Sequence, residues 1–217
     1  MSALRLHDYG ASANCYKVRL LLAQLGLDYE RVPVDIFAGD TLTDDYARLN
    51  PQRQTPVLER DGAEPLTESG AILVHLAEGT EYIPEDPNER AQALKWLFFE
   101  QTEVIQGIAG LRFRLVTQRS RPDGREALWR RSVGDAALKV LNDKLGKSNY
   151  LAGERYSIAD ISLFAYVHVA NEAGFELSEY AQVREWMERV RGTRRYMNDL
   201  EPYPANSMAG QSRSIYD

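Results

Sequence analysis

Gln54-Thr55-Pro56-Val57-Leu58 and, a little further on, Thr67-Glu68-Ser69-Gly70 decide how this chain is read. Pro56 precedes an apolar pair with the look of a strand start, where proline removes a ladder donor and is excluded unless the backbone has another job. A cis bond would give it one. Since only about 5–6% of X-Pro bonds in folded proteins are cis, that expectation leans on the surroundings. With Thr55–Pro56 cis, Thr55 is left able to pair in β-fashion with an extended peptide ligand. Glu68-Ser69 falls where the chain leaves a short strand for the helix Gly70-Ala71-Ile72-Leu73-Val74-His75-Leu76. Free N–H groups at a helix start, helped by the Ser69 hydroxyl, make a carboxylate site, and Glu68 beside it can hold an ammonium. An extended peptide with a free amino-acid end fits both halves.

Upstream, Leu4 to Asp8 alternates like a short strand and a loop over Tyr9–Asn14 leads into a helix carrying Cys15, Val18, Leu21, Leu22 and Leu25, with Gly26 as its stop. Tyr29 to Val34 reads as a second strand, parallel to the first. Thr41 to Leu49 reads as a short helix. Val57 to Arg60 and Ala63 to Leu66, joined by Asp61-Gly62, read as a hairpin. The order βαβ-α-ββα predicts a thioredoxin-like domain with a four-stranded mixed sheet over residues 1–79.

The proline- and acid-rich stretch 80–88 reads as a linker, and residues 89–200 as an all-helical bundle. One helix is marked by Ala91, Leu94, Leu97, Phe98, Ile105, Ile108 and Leu111, and a second by Leu128 to Leu145, with Arg119–Gly124 turning between them. Tyr156-Ser157-Ile158-Ala159-Asp160 predicts a capping box, Ser157 as cap and Asp160 reaching back, at the start of a helix apolar nearly all round. Glu179–Arg191 and Thr193–Leu200 read as two further helices. The tail 201–217 leaves two readings open, a frayed end or a strap that packs back and narrows a substrate pocket.

Composition excludes several classes of function. A chain of 217 residues, 44% apolar, is long enough to bury a core in one or two domains. Its apolar runs fall short of the ~18–20 residues of a membrane span, and the N-terminus has no secretory pattern, so a cytoplasmic protein is expected. Cys15 is the single cysteine, so neither an internal disulfide nor a Cys-x-x-Cys pair exists. His7, His75 and His168 show no metal spacing, and no metal is expected. The net charge of −6 argues against nucleic acid or anionic membrane as partner. A small molecule remains.

Ser12-Ala13-Asn14-Cys15 at a first helix, Asn50-Pro51, Thr55-Pro56-Val57-Leu58, Glu68-Ser69 and the later Tyr156–Asp160 occur in the order and spacing of the cytosolic glutathione transferases, which the chain resembles up to about Leu200. The resemblance implies glutathione as co-substrate, bound by Gln54, Thr55, Pro56, Glu68 and Ser69, in a homodimeric enzyme of the detoxification type. It also implies attack by the glutathione thiolate on a small apolar electrophile. Ser12 matches the catalytic serine of theta- and delta-type relatives, whose pattern is Ser-x-Pro-Cys. Asn14 departs from that proline and resembles the nu-like bacterial enzymes, so Ser12 is assigned as first donor to the sulfur and Asn14 as second. Ser and Asn before a helix are also ordinary N-caps, and only the downstream constellation favours the catalytic reading.

Cys15 continues the apolar face of its helix and is read as a core thiol; the alternative is a nucleophile that forms a mixed disulfide. Tyr9 is expected to line the electrophile pocket, and Glu103 or Glu100 to reach a ligand across a dimer. Two other readings of the whole stand beside conjugation. One is a glutathione-dependent disulfide or peroxide reductase of the nu-like kind, and the other a non-catalytic glutathione-binding scaffold.

Overall fold

The computed structural model describes residues 4–217. The chain forms two units: one runs to Leu76 and takes up Met197–Asp217 again, and the other is Ala77–Tyr196. The tail 201–217 is thereby part of the first unit.

In the first unit, β1 (Leu4–Asp8) is the middle strand, parallel to β2 (Glu30–Pro33) and antiparallel to β3 (Val57–Arg60). Leu6 stands opposite Arg31 on one side and Leu58 on the other. Helix α1 (Ala13–Leu25) connects β1 to β2, with Cys15, Tyr16, Val18, Leu20, Leu21 and Leu22 wholly buried. Gly26 ends it in the left-handed region (φ 68), where a glycine carries no Cβ penalty. The predicted helix at Thr41–Leu49 is a 3-10 turn, Asp40–Leu42, followed by α2 (Asp44–Leu49), which Thr43 caps by accepting from Tyr46 N. Helix α3 (Ser69–Ala77) follows the hairpin.

The sheet has three strands where the sequence predicted four. The return arm of the hairpin pairs only at Leu66, whose N–H and C=O both bond to Leu58 at 2.9 Å. Pro65, immediately before it, has no N–H to give, and Ala63 and Glu64 are exposed, so the ladder cannot extend.

The second unit is helical. α4 (Pro87–Phe99) is capped by the Asp86 carboxylate, passes into a π-helical stretch, Glu100–Ala109, and ends as α5 (Gly110–Val116). The continuous helix read from the sequence is therefore present with a widened middle. α6 (Arg125–Leu145) crosses that middle very closely: a Cβ on Gly107 would lie 2.4 Å from Gly134 N. α7 (Ile158–Val167) is buried along its length and begins with the predicted capping box, in which Asp160 accepts from Ser157 N at 3.0 Å. α8 (Ala181–Arg191) buries Val183, Trp186, Met187 and Val190. No helix among the described residues is long and apolar enough to cross a membrane.

The helix expected at Thr193–Leu200 does not form. Only one turn closes, Tyr196 N to Thr193 O at 3.1 Å, and Arg195 sits at φ 56. Beyond it the chain is held by side chains of the first unit, Tyr16 on Met197 O and Arg19 on Asp199. Tertiary bonds replace the helical ladder that the local sequence would otherwise make.

Candidate functional site

The loop from β1 to α1 brings up the first donor. Ser12 is the N-cap of α1 and its hydroxyl oxygen accepts from Cys15 N at 3.3 Å. A hydroxyl that accepts through a lone pair still has its proton to give. Capping and donation to a ligand are thus compatible uses of Ser12, although the sequence had set them against each other. Asn14, half-buried in the first turn, accepts from the Ser69 hydroxyl through Oδ1 at 3.3 Å. This bond ties the start of α1 to the start of α3.

Between them lies the segment before β3. The Thr55–Pro56 bond is cis, as expected. The carbonyl of Gln54 is held by two donors, Asn50 Nδ2 at 2.8 Å and the Tyr46 hydroxyl at 2.9 Å. Asn50 also accepts from Gln52 N at 3.0 Å, and Arg53, at φ 57, donates to the carbonyls of Thr41 and Thr43. These bonds fix the backbone while leaving the Gln54 side chain exposed. Across from it Glu68, also exposed, adopts φ 65 immediately before α3. A left-handed glutamate costs on the order of 1 kcal/mol, the kind of local strain that collects at functional sites.

Asn14, Asn50, Gln54, Thr55, Pro56, Glu68 and Ser69 together line a depression of about 30 Å³. That volume holds little more than a water. A peptide ligand must lie across these groups, not inside them. All the predicted glutathione-contacting residues and Asn14 line this depression; Ser12 does not. Tyr46 and Asn50 are additions to the predicted set: they act on the backbone of Gln54. The Asn50-Pro51 pair in the sequence was a signal for one of them. A larger cavity, about 600 Å³, is bounded by residues 79–89 and 152–157 of the helical unit and contains none of the predicted site residues.

Cys15 is fully buried, and its sulfur accepts from Tyr9 N at 3.4 Å. Burial pushes its pKa up to about 11 and the nearby Asp8 adds to the rise, outweighing the bonds from Thr55, Tyr9 and Ser12 that favour the thiolate. At neutral pH it is a neutral thiol, and so a weak acceptor. A glutathione thiolate would outcompete it for the Ser12 proton, because hydrogen bonds to charged acceptors are roughly twice as strong. Tyr9 is also buried, with its ring edge-on to Phe37 at 5.8 Å, and burial, with the charges of Asp35 and Glu201 adding to it, raises the pKa of its hydroxyl. Only 7% of Tyr9 is exposed, at the position expected to line the electrophile pocket. Glu100 is buried in its own unit, accepting from Gln101 Nε2 at 2.8 Å, which leaves Glu103 as the more accessible of the two acids. Of the histidines, His7 pairs with Glu59 at 2.6 Å, His75 meets Arg60, and His168 stacks on Phe164.

The family profile described as Glutathione S-transferase, N-terminal domain matches residues 11–78, and the one described as Glutathione S-transferase, C-terminal domain matches residues 116–189. The chain belongs to the glutathione transferase superfamily. Among relatives in this superfamily, the Escherichia coli protein named disulfide-bond oxidoreductase YfcG is 33% identical over 196 residues, covering 84% of this chain and 88% of that one. Glutathione S-transferase 2 of Anopheles gambiae is 32% identical, covering 81% of this chain and 84% of its own. The crystal structure of a glutathione S-transferase from Pseudomonas fluorescens superposes with a TM-score of 0.88 at 42% identity, over 92% of this chain and all of that one.

Proposed function

We propose that this enzyme binds glutathione across Gln54–Pro56 and Glu68–Ser69 and holds its sulfur, as thiolate, between the Ser12 hydroxyl and the Asn14 amide. The observation that carries this reading is the convergence of Asn14, Gln54, Thr55, Pro56, Glu68 and Ser69 on one depression at the start of α3. The N–H groups at that helix start, joined by the Ser69 hydroxyl once its proton turns from Asn14 Oδ1, would take a carboxylate of glutathione, and Glu68 its ammonium. Conjugation is the first chemistry proposed: the thiolate forms a C–S bond to a small electrophile, whose leaving group departs with the bonding pair, and the thiol proton goes to solvent.

A second chemistry is favoured by Asn14 and by the relative named a disulfide-bond oxidoreductase. One glutathione thiolate attacks a disulfide sulfur and expels a thiolate. A second glutathione then resolves the mixed disulfide, so two glutathiones are oxidised for one disulfide reduced. Cys15, neutral and buried, takes no part in either route, and its replacement by Ser leaves turnover in place. We further propose a glutathione-binding domain over residues 1–79, and a homodimer in the cytoplasm serving detoxification.

Titration calorimetry with reduced glutathione and then with glutathione disulfide tests the reading. Preference for the reduced form supports conjugation, preference for the disulfide supports reduction, and no binding of either by calorimetry and a second method sinks the assignment. In Ser12→Ala, loss of one hydrogen bond to a charged sulfur, worth roughly 1.5–3 kcal/mol, should lower kcat/KM by about 10- to 100-fold. A bound-thiol pKa that stays where it was in this variant would exclude Ser12 as the donor.

A further inference from the structure

From Met197 the chain returns along the first unit and is fastened at short intervals. Tyr16 donates to Met197 O at 2.8 Å, Arg19 Nε to Asp199 Oδ2 at 2.8 Å, and Glu201 N to Gly10 O at 3.1 Å. The approach at Gly10 is close enough that a Cβ there would lie 2.3 Å from the Glu201 carboxyl. Asn206 Nδ2 then bonds Asp35 at 2.9 Å, and Arg213 N bonds Phe37 O at 2.8 Å. Of the two sequence readings of the tail, the strap that packs back is the one seen.

Two of these fastenings bear on the loop that carries Ser12. The Gly10 carbonyl accepts from Glu201 N and, at 3.3 Å, from Arg19 Nη2. Arg19 is wholly buried, and its planar guanidinium has three different partners: Nη1 bonds Asp8 at 2.5 Å, Nη2 bonds Gly10 O, and Nε bonds Asp199 Oδ2. It therefore joins the residue before the loop, the middle of the loop and the strap. Because the guanidinium is a rigid fork, the bond from Nε to Asp199 sets its plane and with it the direction of Nη2. Ser12 lies one tight turn further on, its N–H bonded to Tyr9 O at 3.0 Å. The Gln54 carbonyl is fixed in the same manner, by Asn50 and Tyr46. At Gly10 one of the two donors comes from the far end of the chain.

We propose that the strap serves the site: Asp199, by setting the plane of Arg19, and Glu201, through its backbone N–H, are positioning residues for the Ser12 hydroxyl. The inference rests on the glutathione reading given above, in which that hydroxyl donates to the thiolate. Neither residue needs to touch glutathione. A hydrogen bond weakens steeply as its donor tilts away, so a loop free to shift would still hold the peptide while leaving its thiol poorly ionised. Loss of the strap's hold is thus read in the ionisation of the bound thiol, and not in how much glutathione binds.

The test compares the full-length protein with Asp199→Ala, Asp199→Asn, Glu201→Pro, Ser12→Ala and the double variant of Asp199→Ala with Ser12→Ala, each checked by a thermal melt. Thiolate ultraviolet absorbance across a pH series, read against glutathione-free protein, gives the bound-thiol pKa and needs no turnover. Calorimetry at a pH where the thiol is protonated gives glutathione affinity, and kcat/KM is taken with 1-chloro-2,4-dinitrobenzene. Asp199→Ala should raise the bound-thiol pKa and lower kcat/KM by about 3- to 10-fold, the size of a weakened hydrogen bond, with that affinity nearly unchanged. Glu201→Pro removes the other donor to Gly10 O and should shift the pKa the same way. Asp199→Asn keeps an acceptor for Arg19 Nε and puts its NH2 where Oδ1 has no partner among the described residues, so it should restore most of the loss. In the Ser12→Ala background, Asp199→Ala should cost nothing further. Losses that multiply across the two changes would overturn the proposal, because Asp199 would then not act through Ser12. So would an unshifted bound-thiol pKa in Asp199→Ala and Glu201→Pro. Absence of glutathione binding in the unaltered protein, or a Ser12→Ala variant indistinguishable from it, would instead remove the reading beneath, and the proposal with it.

Discussion

Each unit buries an aspartate, and the two are accommodated in opposite ways. Asp8, at the end of β1, faces charge: Arg19 NH1 lies 2.5 Å from one oxygen and Arg31 Nε bonds the other, while Arg19 also reaches Asp199 and Arg31 reaches Glu201. Asp160, in α7, is bonded by dipoles, accepting from Leu151 N, Ser157 N, the Ser157 hydroxyl and Trp186 Nε1 at 2.9–3.3 Å. Those dipoles do not offset the loss of water, and burial raises the Asp160 pKa to about 6. A buried carboxylate can thus be used as the node of an ionic web or as a local cap. The web fastens segments far apart in sequence, whereas the cap organises one helix start.

The largest expected effect comes from breaking the web. Arg19→Met leaves Asp8 with one guanidinium and Asp199 with none, and removing one member of a buried pair costs about 3–5 kcal/mol. Urea unfolding measures it, and a loss below about 1 kcal/mol would show that Asp8 is supported by Arg31 alone. The pH dependence of the cap comes next. Because the folded pKa of Asp160 lies above its unfolded value, its contribution to stability is complete below about pH 4 and is lost as pH rises through about 6. The loss is on the order of 3 kcal/mol. In Asp160→Asn that change is absent. The stability difference between variant and parent should therefore move in the variant's favour by that amount from pH 4 to pH 7, and a flat difference would rule out the raised pKa. The smallest effect is at the web's exposed rim. Glu201→Gln loosens a pair whose side chains are 61% and 38% exposed, and the unfolding midpoint should move by less than about 1 kcal/mol equivalent.

The cap was legible in the sequence and the web was not, for a physical reason. Ser157 and Asp160 are three positions apart, so their geometry follows from the helix itself. Arg19 and Asp199 are separated by 180 positions, and nothing local in either marks the other. The site divides along the same line. Pro56, Glu68 and Ser69 announce themselves through a proline before a strand and a serine at a helix start. Tyr46 was hidden because its role is a bond to the Gln54 carbonyl, which every residue possesses. The lost fourth strand turned on Pro65, a breaker present in the sequence but outweighed by the Asp-Gly turn beside it. The absent helix at 193–200 was overruled from a distance, by Tyr16 and Arg19.

The route of the strap also bears on the order in which the molecule can be made. The first unit begins at the N-terminus but is completed by Met197–Asp217. A chain growing on the ribosome therefore presents β1, α1 and β2 long before Asp199 exists. During that interval Arg19 lacks one of its two carboxylates, and Phe37 lacks Tyr203 and Tyr216. Domains that are contiguous in sequence can fold as they emerge. Here the segment synthesised first reaches its full set of contacts only after residues 197–217 have emerged.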